Sequence, residues 1–143
     1  MTLTEEQKTE VRAAMNQYAT AYQKKDLAGF RAVFSPAVCG FGSGPDEVIE
    51  NYAGFLRQIT RDISQATVNA VEFSDTNIFG EGRIAWVMTR TAITFTVTGS
   101  KKQTLQGRST MVLRNTGSRW LIEQIHFSMP YGGQSEGQSF PGA

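Results

Sequence analysis

An α+β fold, three helices laid on one mostly antiparallel sheet, is predicted from three observations on this 143-residue chain. The stretch from Arg83 to Pro130 has no proline before its end. It divides into three segments rich in Val, Ile, Thr, Trp and Phe, separated by Gly99-Ser100-Lys101-Lys102 and Thr116-Gly117-Ser118, the pattern of an antiparallel meander. Apolar stripes at helical spacing come before it, and elements segregated in this way form helices on one side of a sheet. Finally, both sets of alternating strand positions are largely apolar, so each side of the sheet requires a cover.

Taken in order, Thr4 with Gln7 three residues later forms a capping box, and Glu5 and Glu6 meet the positive end of a helix dipole. Val11, Ala14, Met15, Tyr18 and Tyr22 make the stripe of that first helix, and Lys24-Lys25 closes it. Asp26 caps a short helix whose stripe is Leu27, Phe30 and Phe34, ended by Ser35-Pro36. Ala37 to Gly42 reads as a strand. Pro45 with Asp46 and Glu47 behind it predicts the start of a third helix with the stripe Val48, Ile49, Tyr52, Leu56, Ile59 and Ile63. Ala66 to Phe79 is a strand interrupted near Ser74-Asp75, and Gly80-Glu81-Gly82 turns it into the meander. Residues 1–130 are expected to form one domain, and the Gly-, Ser- and Gln-rich residues 131–143 a flexible tail, with Tyr131 and Phe140 able to reach a pocket mouth.

The turns suggest a register. A loop of Gly99 to Lys102 sets Arg90 opposite Met111, and a two-residue Thr116-Gly117 turn sets Leu113 opposite Trp120. One face then carries Trp86, Met88, Arg90, Met111, Trp120, Gln124 and His126; the other carries Val87, Ile93, Phe95, Val112, Ile125 and Phe127. A slip of one residue would exchange these lists for the following strand. The helices can cover only one face, so a homodimer through the other is expected.

Composition narrows the function classes. Net charge is +1, with no basic cluster beyond Lys24-Lys25 and Lys101-Lys102, which argues against nucleic acid as a partner. The single cysteine, Cys39, and single histidine, His126, exclude an intrachain disulfide and any metal site built on two of either. Gly40 to Gly44 lacks the lysine and length of a phosphate loop. No cofactor, metal or membrane association is expected, and the cytoplasm is the expected compartment.

The order of elements, together with YATAYQKKDLAGFRAVFS (Tyr18 to Ser35), GFGSGPDE (Gly40 to Glu47), QGRSTMVLR (Gln106 to Arg114) and RWLIEQIHFSMP (Arg119 to Pro130), resembles the SnoaL-like branch of the nuclear transport factor 2-like superfamily. The ending is also similar to that of the calcium/calmodulin-dependent kinase II association domain. The resemblance implies a cone: a strongly curved sheet of the cystatin-like kind, wrapped by the helices, with a pocket at its open end and a convex side that commonly dimerises. It implies isomerase, dehydratase, cyclase, binding or association roles without choosing among them. By resemblance to ketosteroid isomerases, Tyr18 takes the place of an oxyanion-stabilising tyrosine, while the place of the carboxylate base falls on Gly42.

The expected pocket therefore holds Arg90, Trp86, Met88, Met111, Trp120, Tyr22 and Gln124, with His126 and Tyr18 as candidate catalytic groups. His126 is either a general base or a structural histidine satisfied by Gln124, Ser128 or backbone. Arg90 either pairs with Asp46, Glu47 or Glu50 or binds an anionic group. The first expectation is a module binding a small, partly apolar ligand, with an anionic group as one option. The alternatives are an enzyme of proton transfer next to a carbonyl and an oligomerisation module with a vestigial pocket. The enzyme reading requires His126 and Tyr18 to open onto one cavity.

Overall fold

A computed structural model describes residues 2–143. Helices α1 (Glu5–Lys24) and α2 (Leu27–Val33) lead into strands β1 (Phe34–Phe41) and β2 (Val48–Ile49). Helix α3 (Tyr52–Gln65) and strands β3 (Ala66–Glu81), β4 (Ile84–Val97), β5 (Gln103–Asn115) and β6 (Trp120–Ser128) follow. The six strands form one mixed, curved sheet in the order β2-β1-β6-β5-β4-β3, with β1 parallel to β6 and every other pairing antiparallel. This is the predicted α+β architecture.

Local chemistry explains most boundaries. Both halves of the capping box at Thr4 and Gln7 are made, at 3.1 and 2.9 Å. Lys25 takes a left-handed conformation (φ 53°) that stops α1, and the Asp26 side chain accepts from Gly29 N–H to start α2. Helix α3 starts later than Pro45 predicts. Asn51 is its cap, accepting from Gly54 N–H at 2.9 Å, while Gly42 N–H donates to the Glu47 carbonyl and draws Val48–Ile49 into a short strand beside β1. Phe55 and Ile59, four apart, are its buried residues. At Gly40 (φ 152°) β1 presses against β6, and a Cβ there would stand 1.8 Å from the Ile125 carbonyl oxygen. Only glycine permits that approach.

The core lies between the helices and one face of the sheet. Val11 and Met15 of α1, Phe30 and Val33 of α2, and Phe55 of α3 meet Ala85, Val87, Met111, Leu113 and Ile122. Thr91 and Ser109 are buried on the same face and share a hydrogen bond at 2.8 Å, so neither hydroxyl is unsatisfied.

The register departs from the predicted one in two places. The β4–β5 pairing sets Arg90 opposite Arg108, three residues from the expected Met111. Three is odd, so the faces of β4 and β5 exchange partners: Val87, Thr89 and Thr91 share the helix side with Ser109, Met111 and Leu113. The second turn holds four residues, closed by Thr116 N–H to the Arg119 carbonyl, and β6 carries a bulge at Glu123, between the Leu113–Ile122 and Val112–Gln124 pairs. Trp120 and Ile122 face the helices and lie in the core, so Trp120 is not the pocket residue it was expected to be. Beyond the bulge Gln124 and His126 turn to the outer face, exposed, and Ile125 turns in. The outer face is accordingly open in the single chain, with Trp86 47 % and Met88 55 % exposed.

Candidate active site

The helix-covered side of the sheet, helices α1 and α3 and the loop after β1 border a cavity of about 320 Å3. Its walls are mostly apolar: Phe34, Phe55 and Ile59 on one side, and Val68, Ile93 and Ile125 from the sheet. Polar groups gather at one end, where α1 and α3 meet the loop that follows β1. Tyr18 and Tyr22 come from α1, Gln58 and Asp62 from α3, and Glu47 from the loop.

The spacing of each element produces this convergence. Tyr18 and Tyr22 are four apart on the α1 stripe, with ring centroids 5.3 Å apart, and Tyr18 also meets Phe34 edge-on at 5.3 Å. Gln58, Asp62 and Gln65 recur at four and three along α3, one position beside the buried Phe55–Ile59 line, and so border the cavity. Tyr22 donates its hydroxyl proton to Asp62 Oδ2 at 2.7 Å. The amide nitrogen of Gln58 donates to Asp62 Oδ1 at 2.7 Å and to Glu47 Oε1 at 2.9 Å, tying the two carboxylates together. Gly44 N–H donates to Glu47 Oε2. At the rim Arg61 pairs with Asp46 at 2.7 Å and reaches Glu47 at 3.5 Å.

This environment alters proton affinities. Burial pushes the Asp62 carboxyl above its ordinary value; the bonds from Tyr22 and Gln58 hold it down, and the charge of Glu47 adds to the rise. Burial likewise pushes both phenols up, and the charge of Asp62 adds to the rise of each. Arg61 beside Asp46 holds that exposed carboxyl below its usual range. Position 42 is Gly, so no carboxylate projects from it. The space a side chain there would use is taken by Glu47, whose Oε2 lies 2.6 Å from where a Cβ would stand.

Of the residues expected to form the site, Tyr18 and Tyr22 line this cavity. The others do not. Trp86, Met88, Arg90, Gln124 and His126 lie on the outer face because of the register shift and the Glu123 bulge, and Met111 and Trp120 are core residues. The Trp120 indole N–H donates to Glu10 of α1 at 2.9 Å. Arg90 is 72 % exposed and pairs with Asp75 at 3.3 Å, not with Asp46, Glu47 or Glu50. His126 packs on Phe41, ring centroids 5.5 Å apart, and borders an outer groove with Arg90, Arg108 and Ser128. Tyr18 and His126 therefore open onto opposite sides of the sheet, and the condition for a His126–Tyr18 acid-base pair is not met. Asp62 and Gln58, which no expectation from the sequence named, and Glu47, expected as a helix-start charge or a partner of Arg90, are the polar groups that do share a cavity with the tyrosines. No cluster of His, Cys, Asp and Glu suited to a metal ion occurs among the described residues, and no described helix is long and apolar enough to cross a membrane.

Comparison with known proteins agrees with this architecture. No curated protein sequence matches the chain. Among solved structures, a nuclear transport factor 2-like superfamily protein from Salmonella enterica superposes with a TM-score of 0.77 at 17% identity, covering 93% of this chain and 96% of that one. A candidate aromatic ring hydroxylase from Novosphingobium aromaticivorans gives 0.79 at 18% identity, with 90% and 92% covered. A candidate scytalone dehydratase from the same organism gives 0.75 at 10% identity, with 85% and 82% covered. At these identities the likeness is one of fold. The model of the SnoaL-like domain matches residues 11–132, which spans both the helices that supply the tyrosines and Asp62 and the sheet that closes the cavity, and the chain belongs to that family.

Proposed function

We propose that the cavity binds a small, largely apolar molecule whose one polar group rests against Tyr18, Tyr22 and Asp62. The observation that carries this reading is the segregation inside the cavity, apolar on most of its wall and polar at one end, which fixes a ligand's orientation while its body is held by burial. Filling the cavity tests it. Ile93→Trp should leave the fold intact by circular dichroism and abolish the thermal stabilisation given by a panel of small apolar compounds, whereas Trp86→Ala on the outer face should not affect it. Equal stabilisation of Ile93→Trp and parent would end the reading.

A second reading, proton transfer next to a carbonyl, is favoured by the raised affinity of Asp62 for its proton. A carboxyl of that kind beside a phenol suits a general base with a hydrogen-bond donor for the developing oxyanion. In this reading Asp62 takes the part expected of His126, with Tyr18 retained. Exchange of α-hydrogens of a bound cyclic ketone for deuterium, followed by NMR, checks it: exchange should occur with the parent and vanish with Asp62→Asn.

A second copy of the chain is our proposed cover for the outer face. Phe79 and Trp86, paired across strands, and neighbouring Met88 are large apolar side chains left 45–55 % exposed there. Sedimentation should give a dimer that Trp86→Lys converts to monomer. A monomeric parent at tens of micromolar would remove this part of the proposal.

A further inference from the structure

The polar end of the cavity has already committed most of its donors. The only proton of the Tyr22 hydroxyl goes to Asp62, and the Gln58 amide nitrogen is divided between Asp62 and Glu47. Arg61, the one cation of the cluster, is engaged at the rim by Asp46 and Glu47. What faces a ligand is therefore chiefly acceptor capacity, since each ionised carboxylate accepts about four hydrogen bonds. The charges point the same way: Asp46, Glu47 and Asp62 stand against Arg61 alone. The rings of Tyr18, Tyr22, Phe34 and Phe55 border the same space, and aromatic faces attract cations.

We infer that the ligand of this cavity is a protonated amine on a compact apolar body, its ammonium group held by the carboxylates of Asp62 and Glu47. This rests on the ligand-binding reading and gives it a chemical class. An ammonium brings donors and no acceptor, complementing what the site offers. A carboxylate ligand would add a further anion to the cluster, so the anionic group expected around Arg90 has no counterpart here. A neutral carbonyl brings only acceptors, and the Tyr18 hydroxyl is the single phenol not committed to a carboxylate. The acids alone would be a solvated cluster. It is the apolar enclosure in front of them that makes a site. Burial disfavours the ionised form of Asp62, whose hydrogen-bond donors Tyr22 and Gln58 are neutral, and an ammonium a hydrogen bond away supplies an opposite charge in direct contact.

The test is calorimetric titration with three compounds of one body: 2-naphthylmethylamine, 2-naphthylmethanol and 2-naphthoate. The amine should bind at least about tenfold more tightly than the alcohol, a difference of about 1.4 kcal/mol, and the carboxylate weakest of all. Asp62→Asn should erase the preference for the amine, bringing its affinity to within about twofold of that variant's affinity for the alcohol. Glu47→Gln, nearer the surface, should reduce that preference and serves as the second variant if Asp62→Asn does not fold. Alcohol binding as tight as amine binding, or an amine preference that survives both variants, would overturn the amine assignment and leave the cavity a ligand site. Failure of all three compounds to bind the parent at millimolar concentration would overturn the amine assignment and count against the ligand-binding reading as well.

Discussion

Two groups of ionisable side chains occupy the two sides of one sheet, and they differ in almost every physical respect. On the outer face Arg90, Asp75, Arg108 and His126 border an open groove; Arg90 and Asp75 are 72 and 77 % exposed, and the Arg90–Arg108 pair sets like charges directly across strands. Inside, Asp62, Glu47, Tyr18 and Tyr22 sit against an apolar wall, bridged by one glutamine. In the single chain water screens the first group, so its members behave as surface residues. The second is partly withdrawn from water, and there each hydrogen bond and each charge weighs more. The residues most conspicuous in the sequence, a lone histidine and an arginine among apolar neighbours, belong to the screened group.

Substitutions can break or sharpen this contrast. The largest effect is expected where the cavity wall joins the core: Phe55→Ala should cost about 3–5 kcal/mol in urea unfolding, while Thr110→Ala, beside the outer groove, should stay within about 0.5 kcal/mol. Tyr22→Phe comes next. It removes the donor to Asp62 and should cost about 1–2 kcal/mol, with Asp62 pushed further up. A smaller effect is expected in the pH dependence of stability. Asp62 binds its proton more tightly in the folded chain than in the unfolded one. The stability this gives is fully present below the ordinary aspartate pKa and is lost as pH rises through the raised folded value. Parent stability should thus fall relative to Asp62→Asn across that window, and parallel curves would show that the carboxyl is not withdrawn from water. The smallest effect belongs to Arg90→Gln, which exchanges an exposed ion pair for relief of repulsion with Arg108; a change under about 0.5 kcal/mol is expected. A loss several times larger would mean that the outer face is not the screened surface described.

What the sequence made legible follows from how local each signal is. The capping box at Thr4 and Gln7, the Asp26 cap and the irregularity at Ser74-Asp75 depend on neighbours within a few residues, and they appear as read. Register depends on loop length, where one residue decides which face is which, and the loop after Val97 and the turn after Asn115 each held more residues than their glycines implied. Pro45 misled because its acids serve Arg61 and the Gly42–Glu47 turn in place of a helix dipole. Asp62 escaped notice because Gln58, Asp62 and Gln65 look like a solvated helix face. The available signal was their position one residue beside the Phe55–Ile59 line.

The bulge at Glu123 has a consequence for how this sheet can change. A strand paired without interruption is read in a single frame, odd positions to one side and even positions to the other. β6 is read in two, with Trp120 and Ile122 inward before the extra residue and Ile125 and Phe127 inward after it. Straightening the bulge with all its residues kept would restore a single frame and present Gln124 and His126 to the cavity in place of Ile125 and Phe127. Deletion of Glu123 alone, by contrast, would let Ile122, Ile125 and Phe127 alternate inward without interruption, so the extra residue can be lost while the aliphatic-aromatic lining is kept.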